Sequence, residues 1–586
     1  MMRARYLIIV GDASSAAGRA ALTAAKSSKQ GDPALTRLVE RPGLSVLADP
    51  ALATIALENG IILGQLFRRD AAVRATQLSN AEQDSLRAGG SASLVRNYWG
   101  GYVATTWDAR AARVMILRDP SGALPCYYLH LGSLTLIGSA VADLIRAASR
   151  HAEIDWSYIA EHLCFPHFRP VRTALTGVTE LVAGTELYLA EGKSEVRVIW
   201  SPWDFTKDQS PEASIGARSD RLKIAIDQAV TGWASTFHHI VLNISGGLDS
   251  SIVAAALSRS NTPYTGINFV TNDATGDETP FAREVAAALD FRIVEAREQV
   301  GSIDISTSDA GHLPRPIARS FAQSSDRACL ALADEVEADG FMGGGGGDNV
   351  FCFLQSPSPV ADRLLVERRL GGIIATAADI AQIAECSALE VLWKAARRAW
   401  LRAPRYRWPR NDSFLSAKAR SVAGRISYHP WLDAPKKSLP GKAAHIASLI
   451  AIQNHLEGFS RERVYPFVAP LMSQPVIEAC LEIPTWLWFA DGQNRIIARE
   501  AFRDRLPRSI THRRGKGTPG SFVAEIFSAH RPAIWTMLSE GCLASAGMLD
   551  LDAVRAALRD NGPVRGRHHT RIMDIVDVEA WLSAWS

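Results

Sequence analysis

The sequence predicts a chain of mixed α/β and α+β class in two parts, a β-rich domain over residues 1–205 and an α/β domain over residues 206–586. Three features predict it. Short apolar runs at 6–10, 114–117, 134–137 and 186–189, separated by Gly, Asp and Pro, have the length and punctuation of strands. Residues 241–257, VLNISGGLDSSIVAAAL, read as strand, glycine turn and helix, with TPYTGINFV at 262–270 as a second strand of a parallel sheet. Between the halves, SPWDFTKDQSPEA at 201–213 is polar and carries Pro202 and Pro211, the composition of a boundary.

Composition bounds the function. With 47% apolar and 21% charged residues the chain is of ordinary globular type, and a net charge of +3 over 586 residues gives no general attraction to nucleic acid. The seven cysteines are scattered without a CxxC pair, as expected of reduced structural thiols. Only five consecutive apolar residues precede Gly11, too few for a signal-peptide core, and no stretch approaches the roughly 18 apolar residues of a membrane span. A cytoplasmic enzyme with no transmembrane segment is expected.

The chemistry concentrates at 245–251. Gly246 and Gly247 let backbone N–H groups turn inward, and the helix that follows adds unpaired donors and the positive end of its dipole. Ser245, Ser250 and Ser251 offer hydroxyls, and Asp249 offers one carboxylate to a phosphate-bound Mg²⁺. No Lys follows the second glycine, so this is not the GxxxxGK[ST] loop, and an ordinary tight βα turn is the plain alternative. The string SGGLDSS resembles the pyrophosphate loop of the N-type ATP pyrophosphatases. That resemblance implies ATP bound by Ser245, Gly246, Gly247, Asp249 and Ser250, cleaved between its α and β phosphates to activate a carboxylate as an acyl-adenylate.

In the first half, residues 100–130 with RDPSGALPCYY at 118–128, and TGVTELVAGTELYL at 176–189, resemble the glutaminase-type domain of asparagine synthetases. The resemblance implies an Ntn-hydrolase-like fold there and, for residues 206–586, an adenine-nucleotide α-hydrolase-like synthetase domain. In that family the glutaminase nucleophile is an N-terminal cysteine, whereas Cys126 is the first cysteine in this sequence. Glutamine is therefore not expected to supply the amine, and the domain is expected to act as a structural or partner-binding layer.

In FMGGGGGDNVF at 341–351, five consecutive glycines flanked by apolar anchors point to close backbone approach to a ligand, with a flexible linker as the alternative. The run resembles the family's second glycine motif, which implies nucleotide contacts at Gly346 and Gly347 and a Mg²⁺ ligand at Asp348. Asparagine synthetases carry a Glu within this motif, and Gly345 stands in its place here, which removes a base and opens space. RERVYPFVAP at 461–470 resembles a further family segment: Glu462, Pro466 and Phe467 match, while Ala469 replaces an Asp. Glu462 is either a buried structural charge or a candidate base. In RRGKGTP at 513–519, Lys516 matches the family's lysine at the α-phosphate and the acyl centre, a surface lysine being the alternative. Asp277 and Glu278 are read as acids at a helix N-terminus.

Residues 393–410, WKAARRAWLRAPRYRWPR, hold seven Lys/Arg, no acid and four aromatics. A solvated helix face with its tryptophans packed inward is the plain reading; an anionic membrane surface, nucleic acid, an acidic peptide or a partner protein are the others. The string PGKAAHI at 440–446, with GGGGGDNVF and the missing N-terminal Cys, narrows the resemblance to the lasso-peptide cyclases. That implies an ATP- and Mg²⁺-dependent ligase that adenylates an Asp or Glu side chain of a precursor core peptide and joins it to the peptide's N-terminal amine. A leader peptidase and a leader-binding protein are the implied partners. Another acyl-adenylate amide ligase, or a non-catalytic scaffold derived from one, stays open.

Overall fold

The computed structural model describes all residues except 1–4, 13, 27–33, 71–72, 109, 191–192, 208–212, 271–276, 368, 404, 514, 516–519, 561–567 and 586. In the first 200 residues two six-stranded antiparallel sheets pack face to face. Alternation along single strands decides which core each residue joins. In Tyr6–Val10, Tyr6 and Ile8 point between the sheets, where they meet Val46, Ile61, Val103 and Ile116; Leu7 and Ile9 point the other way, among residues of the helices Ala16–Lys26 and Val141–Ala147. The runs read from the sequence are strands Tyr6–Val10, Arg113–Arg118, Leu134–Gly138 and Thr185–Ala190.

The second sheet presents Ile62, Leu66, Tyr102 and Ala104 to the helix Ile215–Ala234, which joins the same core through Ala229, Val230 and Trp233. The fit is close. A Cβ on Gly101 would lie 2.9 Å from the Trp233 ring and one on Gly232 2.9 Å from the Trp99 ring, while Phe67 and Trp99 stack with centroids 4.5 Å apart.

The rest is organised on a parallel sheet of β1 (Ile240–Asn243), β2 (Tyr264–Val270), β3 (Ile293–Arg297), β4 (Gly340–Gly343) and β5 (Phe467–Val468), ordered β3-β2-β1-β4-β5. Residues Ile240, Val241 and Leu242 of β1 are buried on both faces, which is why that run is continuously apolar rather than alternating. The chain builds outward from β1 to β3 and then returns to the other side of β1 at β4. The order reverses between β1 and β4, and in open parallel sheets the crevice beyond the strand C-termini at such a reversal is where ligands bind. Both glycine turns leave the sheet at that point.

Between β4 and β5 lies a mainly helical insertion that includes Ser358–Val366, Leu370–Ile383, Ala388–Leu401 and Pro440–Gln453. The string PGKAAHI opens the last of these with Pro440 in its first turn. Its polar residues are buried and structural. Lys442 Nζ donates to the carbonyls of Leu481 and Ile483, and His445 Nε2 bonds the Val350 carbonyl at 2.9 Å behind the second glycine turn. Helix Ala388–Leu401 corrects the reading of its tryptophans as inward-facing: Trp393 and Trp400 are exposed.

The two halves are clasped by a buried ionic cluster. Glu180 accepts from Arg118 at 2.7 Å and from Arg169 and Arg315, while Glu457 pairs with Arg169 at 2.8 Å and with Arg315. Burial alone would raise the Glu180 carboxyl, but Arg169, Arg315 and Arg118 hold it well below the usual range. Arg118 also bonds the carbonyls of Gly122, Leu124 and Leu181, so the RDPSG string closes a loop rather than a reaction centre.

Candidate functional site

The first wall is the turn after β1. Gly246 has φ +71°, and a Cβ there would lie 2.5 Å from the Ala282 nitrogen, so only glycine lets the turn pack onto the helix Thr279–Leu289. Gly247 caps the helix Leu248–Leu257 without a side-chain acceptor for its first N–H groups. Those donors and the helix dipole face the mouth of the turn, as an anion site requires. The serines brace the loop: Ser245 N donates to Ser250 Oγ at 3.2 Å, Gly247 N to Ser245 Oγ at 3.2 Å, and Ser251 Oγ to the Gly247 carbonyl at 2.8 Å.

The second wall is the turn after β4, pressed against the first. A Cβ on Gly344 would sit 2.5 Å from the Ser250 nitrogen, and one on Gly347 2.3 Å from Asp249 Cγ. Gly346, at φ +85°, faces Met472. The glycine run is therefore a close approach between two turns and not a linker. A Cβ on Gly345 would point to Leu456 and Ala469, 2.8 and 3.7 Å away.

The two carboxylates converge on one cation. Arg495 Nη1 donates to Asp249 Oδ1 and Oδ2 at 2.9 and 3.1 Å and also to Asp348 Oδ1. Asp249 is 8% exposed, whereas about a third of the Asp348 side chain is open to solvent. Burial would push the Arg495 guanidinium down, but Asp249 and Asp348 beside it raise it above its ordinary value. Arg499, one turn on, is lowered to about 10 by burial and then by Arg495, and donates to the Asn494 and Thr511 carbonyls.

Arg495 was not legible in the sequence. It stands 246 positions from Asp249, follows the short hairpin of Phe489–Ala490 and Gln493–Asn494, and caps the helix Ile496–Ala501 at φ +56°. The turn residues Asp491 and Gly492 signal the hairpin, but no local pattern signals the partners. Arg513 was also missed: it bonds Glu278 at 2.9 Å, lies 4.0 Å over the Phe281 ring and reaches the Gly246 carbonyl at 3.4 Å. Glu278 is thus an anchor for Arg513 as well as an acid at a helix start. Asp277 bonds the Thr279 N–H and hydroxyl, which hold its carboxyl below the ordinary value. Lys516 lies outside the described residues.

Glu462 is buried on the turn Ser460–Arg463, where its Oε2 accepts from Gly458 N at 3.3 Å. It lines a cavity of about 300 Å³ between the halves, whose walls include Leu52, Ala123, Glu457 and Phe467. Leu456, Ala469 and Met472, the neighbours of Gly345 and Gly346, line the same cavity. Cys126 is buried and its thiol is pushed up to about 11 by burial, so it is protonated at neutral pH and is no nucleophile.

The donor set fits a phosphate-bound Mg²⁺. Such an ion is held by one or two carboxylates with phosphate oxygens and water completing its octahedron, and two carboxylates that reach one nitrogen are close enough to share it. Among the described residues no cluster of three or more His, Cys, Asp or Glu forms a metal cage independent of a nucleotide.

The paired glycine turns at the sheet's switch point, two convergent carboxylates and a buried arginine make a site that fits a phosphate-bound metal. The asparagine synthase family model matches residues 221–583 and the glutamine amidotransferase domain model residues 84–200. The chain belongs to the asparagine synthase family, with an N-terminal domain of the glutamine amidotransferase type. No curated protein matches it. Similar solved structures include the allosteric regulatory enzyme of purine biosynthesis, at 9% identity, covering 50% of this chain and 80% of that one, with a TM-score of 0.21. Another is glutamine phosphoribosylpyrophosphate amidotransferase from B. subtilis complexed with ADP and GMP, at 9% identity, 52% and 77% coverage and a TM-score of 0.19.

Proposed function

We propose that the chain is a lasso-peptide cyclase, which closes a macrolactam between an Asp or Glu side chain of a precursor core peptide and the peptide's own N-terminal amine. The observation that carries this reading is the meeting of Asp249 and Asp348 on Arg495, beside a glycine turn in which Gly345 has no side chain. The first-turn N–H groups of Leu248–Leu257 and the hydroxyls of Ser245 and Ser250 hold the phosphates. Asp249 and Asp348 would hold Mg²⁺, which neutralises charge on the β and γ phosphates when bound. Lys516 and Arg495 are the cations for the charge that develops as the peptide carboxylate attacks the α-phosphate.

That attack forms the acyl-adenylate and releases pyrophosphate. The N-terminal amine then attacks the acyl carbon, the amide bond forms, AMP leaves, and the amine proton passes to a base. Glu462, on the wall of the cavity that borders Gly345, is the carboxylate proposed for that proton. The closure joins two ends of one peptide, and holding those ends close and aligned is the main contribution of the protein beyond the phosphates. The leader peptidase and leader-binding protein of such a pathway are the proposed partners.

Purified protein incubated with linear candidate peptides, MgATP and pyrophosphatase tests this by mass spectrometry. Loss of one water from the peptide with one AMP per ring is the expected result. AMP formation only with aspartate or a small β-amino acid would identify a different amide ligase of the family, and no nucleotide turnover with any of them would identify a scaffold.

A further inference from the structure

The helix Ala388–Leu401 is built the wrong way round for a solvated surface. Leu389, Trp393, Trp400 and Leu401 are 77%, 60%, 67% and 78% exposed, while the small residue Ala395 and Val391 take the buried side. At 100° per residue, Leu389, Trp393 and Trp400 fall within about 40° of one another, so they form one stripe along the helix. The preceding helix Leu370–Ile383 leaves Leu370 and Ile374 exposed as well.

The flanks are cationic. Arg397 lies 5.4 Å over the Trp393 ring, Lys394 is balanced by Glu390, and exposed Arg402, Arg405 and Arg407 have no acidic partner among the described residues. Outward tryptophans and leucines with arginines beside them are the composition of a helix that lies in a lipid headgroup plane. A protein partner of an exposed ring is expected to offer a pocket and acids in register. A charged bilayer offers apolar depth and diffuse negative charge, which match a stripe flanked by unpaired arginines. No single helix among the described residues is long and apolar enough to cross a membrane; Leu370–Ile383 and Ala388–Leu401 pass that test of length and composition only together, as a pair bent by 116°.

We propose that the face of helix Ala388–Leu401 docks the protein on an anionic membrane surface, with Leu389, Trp393 and Trp400 entering the headgroup layer and Arg397, Arg402, Arg405 and Arg407 on the lipid phosphates. This stands apart from the ligase reading, since none of these residues belongs to the nucleotide site.

Flotation of the full-length protein with vesicles of phosphatidylcholine alone, or with about 30% phosphatidylglycerol, tests it. Binding to the anionic vesicles is expected, with a blue shift of tryptophan emission and loss of most of the bound fraction at about 0.5 M salt. Trp393→Ala with Trp400→Ala is expected to lower partitioning about tenfold or more, and Arg402→Glu with Arg405→Glu to abolish the preference for anionic lipid. Circular dichroism and ATP turnover of these variants are expected to match the parent. Absence of vesicle binding, or binding unchanged in the Trp variant, would overturn the proposal. So would self-association or capture of an acidic protein through this face without lipid binding.

Discussion

Asp249 is held on three sides: by its own helix, by Gly347 against its Cγ, and by Arg495. Arg495 and Asp249 form a buried ion pair, and removing one partner of such a pair costs about 3–5 kcal/mol in proteins generally. Arg495→Ala is therefore expected to lose stability of that order in denaturant titration, and to lose peptide-dependent AMP formation; Arg495→Lys is expected to recover stability better than activity, since one ammonium lacks the guanidinium's fixed fork. Gly347→Ala puts a methyl 2.3 Å from Asp249 Cγ and should lower AMP formation about a hundredfold, with the far-UV spectrum unchanged. Lys516→Ala is expected to abolish it. A variant retaining full turnover would misplace the site. At this scale the two aspartates were legible because each belongs to a local glycine motif, whereas Arg495 belongs to none and is brought in by the fold.

The helix Pro440–Gln453 shows what a resemblance can hide. PGKAAHI looks like a signature of function, yet it is a packing device. Gly441 N donates to Asp362 at 2.6 Å, Thr485 Oγ1 donates to the same carboxylate at 2.7 Å, and a Cβ on Gly441 would lie 2.3 Å from it. Burial raises the Asp362 carboxyl from 3.8 to about 6, against the bonds from Gly441 and Thr485. Between those values the native state binds the extra proton, so this group's contribution to stability falls as pH rises through that window and is fully lost above about 6. Asp362→Asn keeps an acceptor and loses the titration. Relative to the parent it should gain on the order of 3 kcal/mol between pH 4 and pH 7, read from denaturant midpoints at each pH. Helix Ala388–Leu401 teaches the converse: the pattern reveals an amphipathic helix, but which face the rest of the chain covers is a tertiary fact.

Across the whole molecule the order β3-β2-β1-β4-β5 sets the location of the chemistry, and the remaining elements brace it. Its first strands were legible as apolar runs next to glycine turns. The two-residue strand Phe467–Val468 was not, since its pairing with Phe341 and Met342 is all that defines it. Glu180 and Glu457 join the halves through Arg118, Arg169 and Arg315, and Glu180→Gln leaves three buried arginines with one acid among them. That variant is expected to lose about 3–5 kcal/mol and to become open to proteolysis between the halves. Unchanged stability would mean that the apolar contact of Trp99 with Trp233 suffices to hold them together.

Exchange of labelled pyrophosphate into ATP tests the central claim most directly, because it reads adenylation without requiring ring closure. The account predicts exchange that depends on a peptide bearing an Asp or Glu side chain and disappears in both Asp249→Ala and Asp348→Ala. Full exchange in either variant, or release of ADP and phosphate in place of AMP, would contradict it.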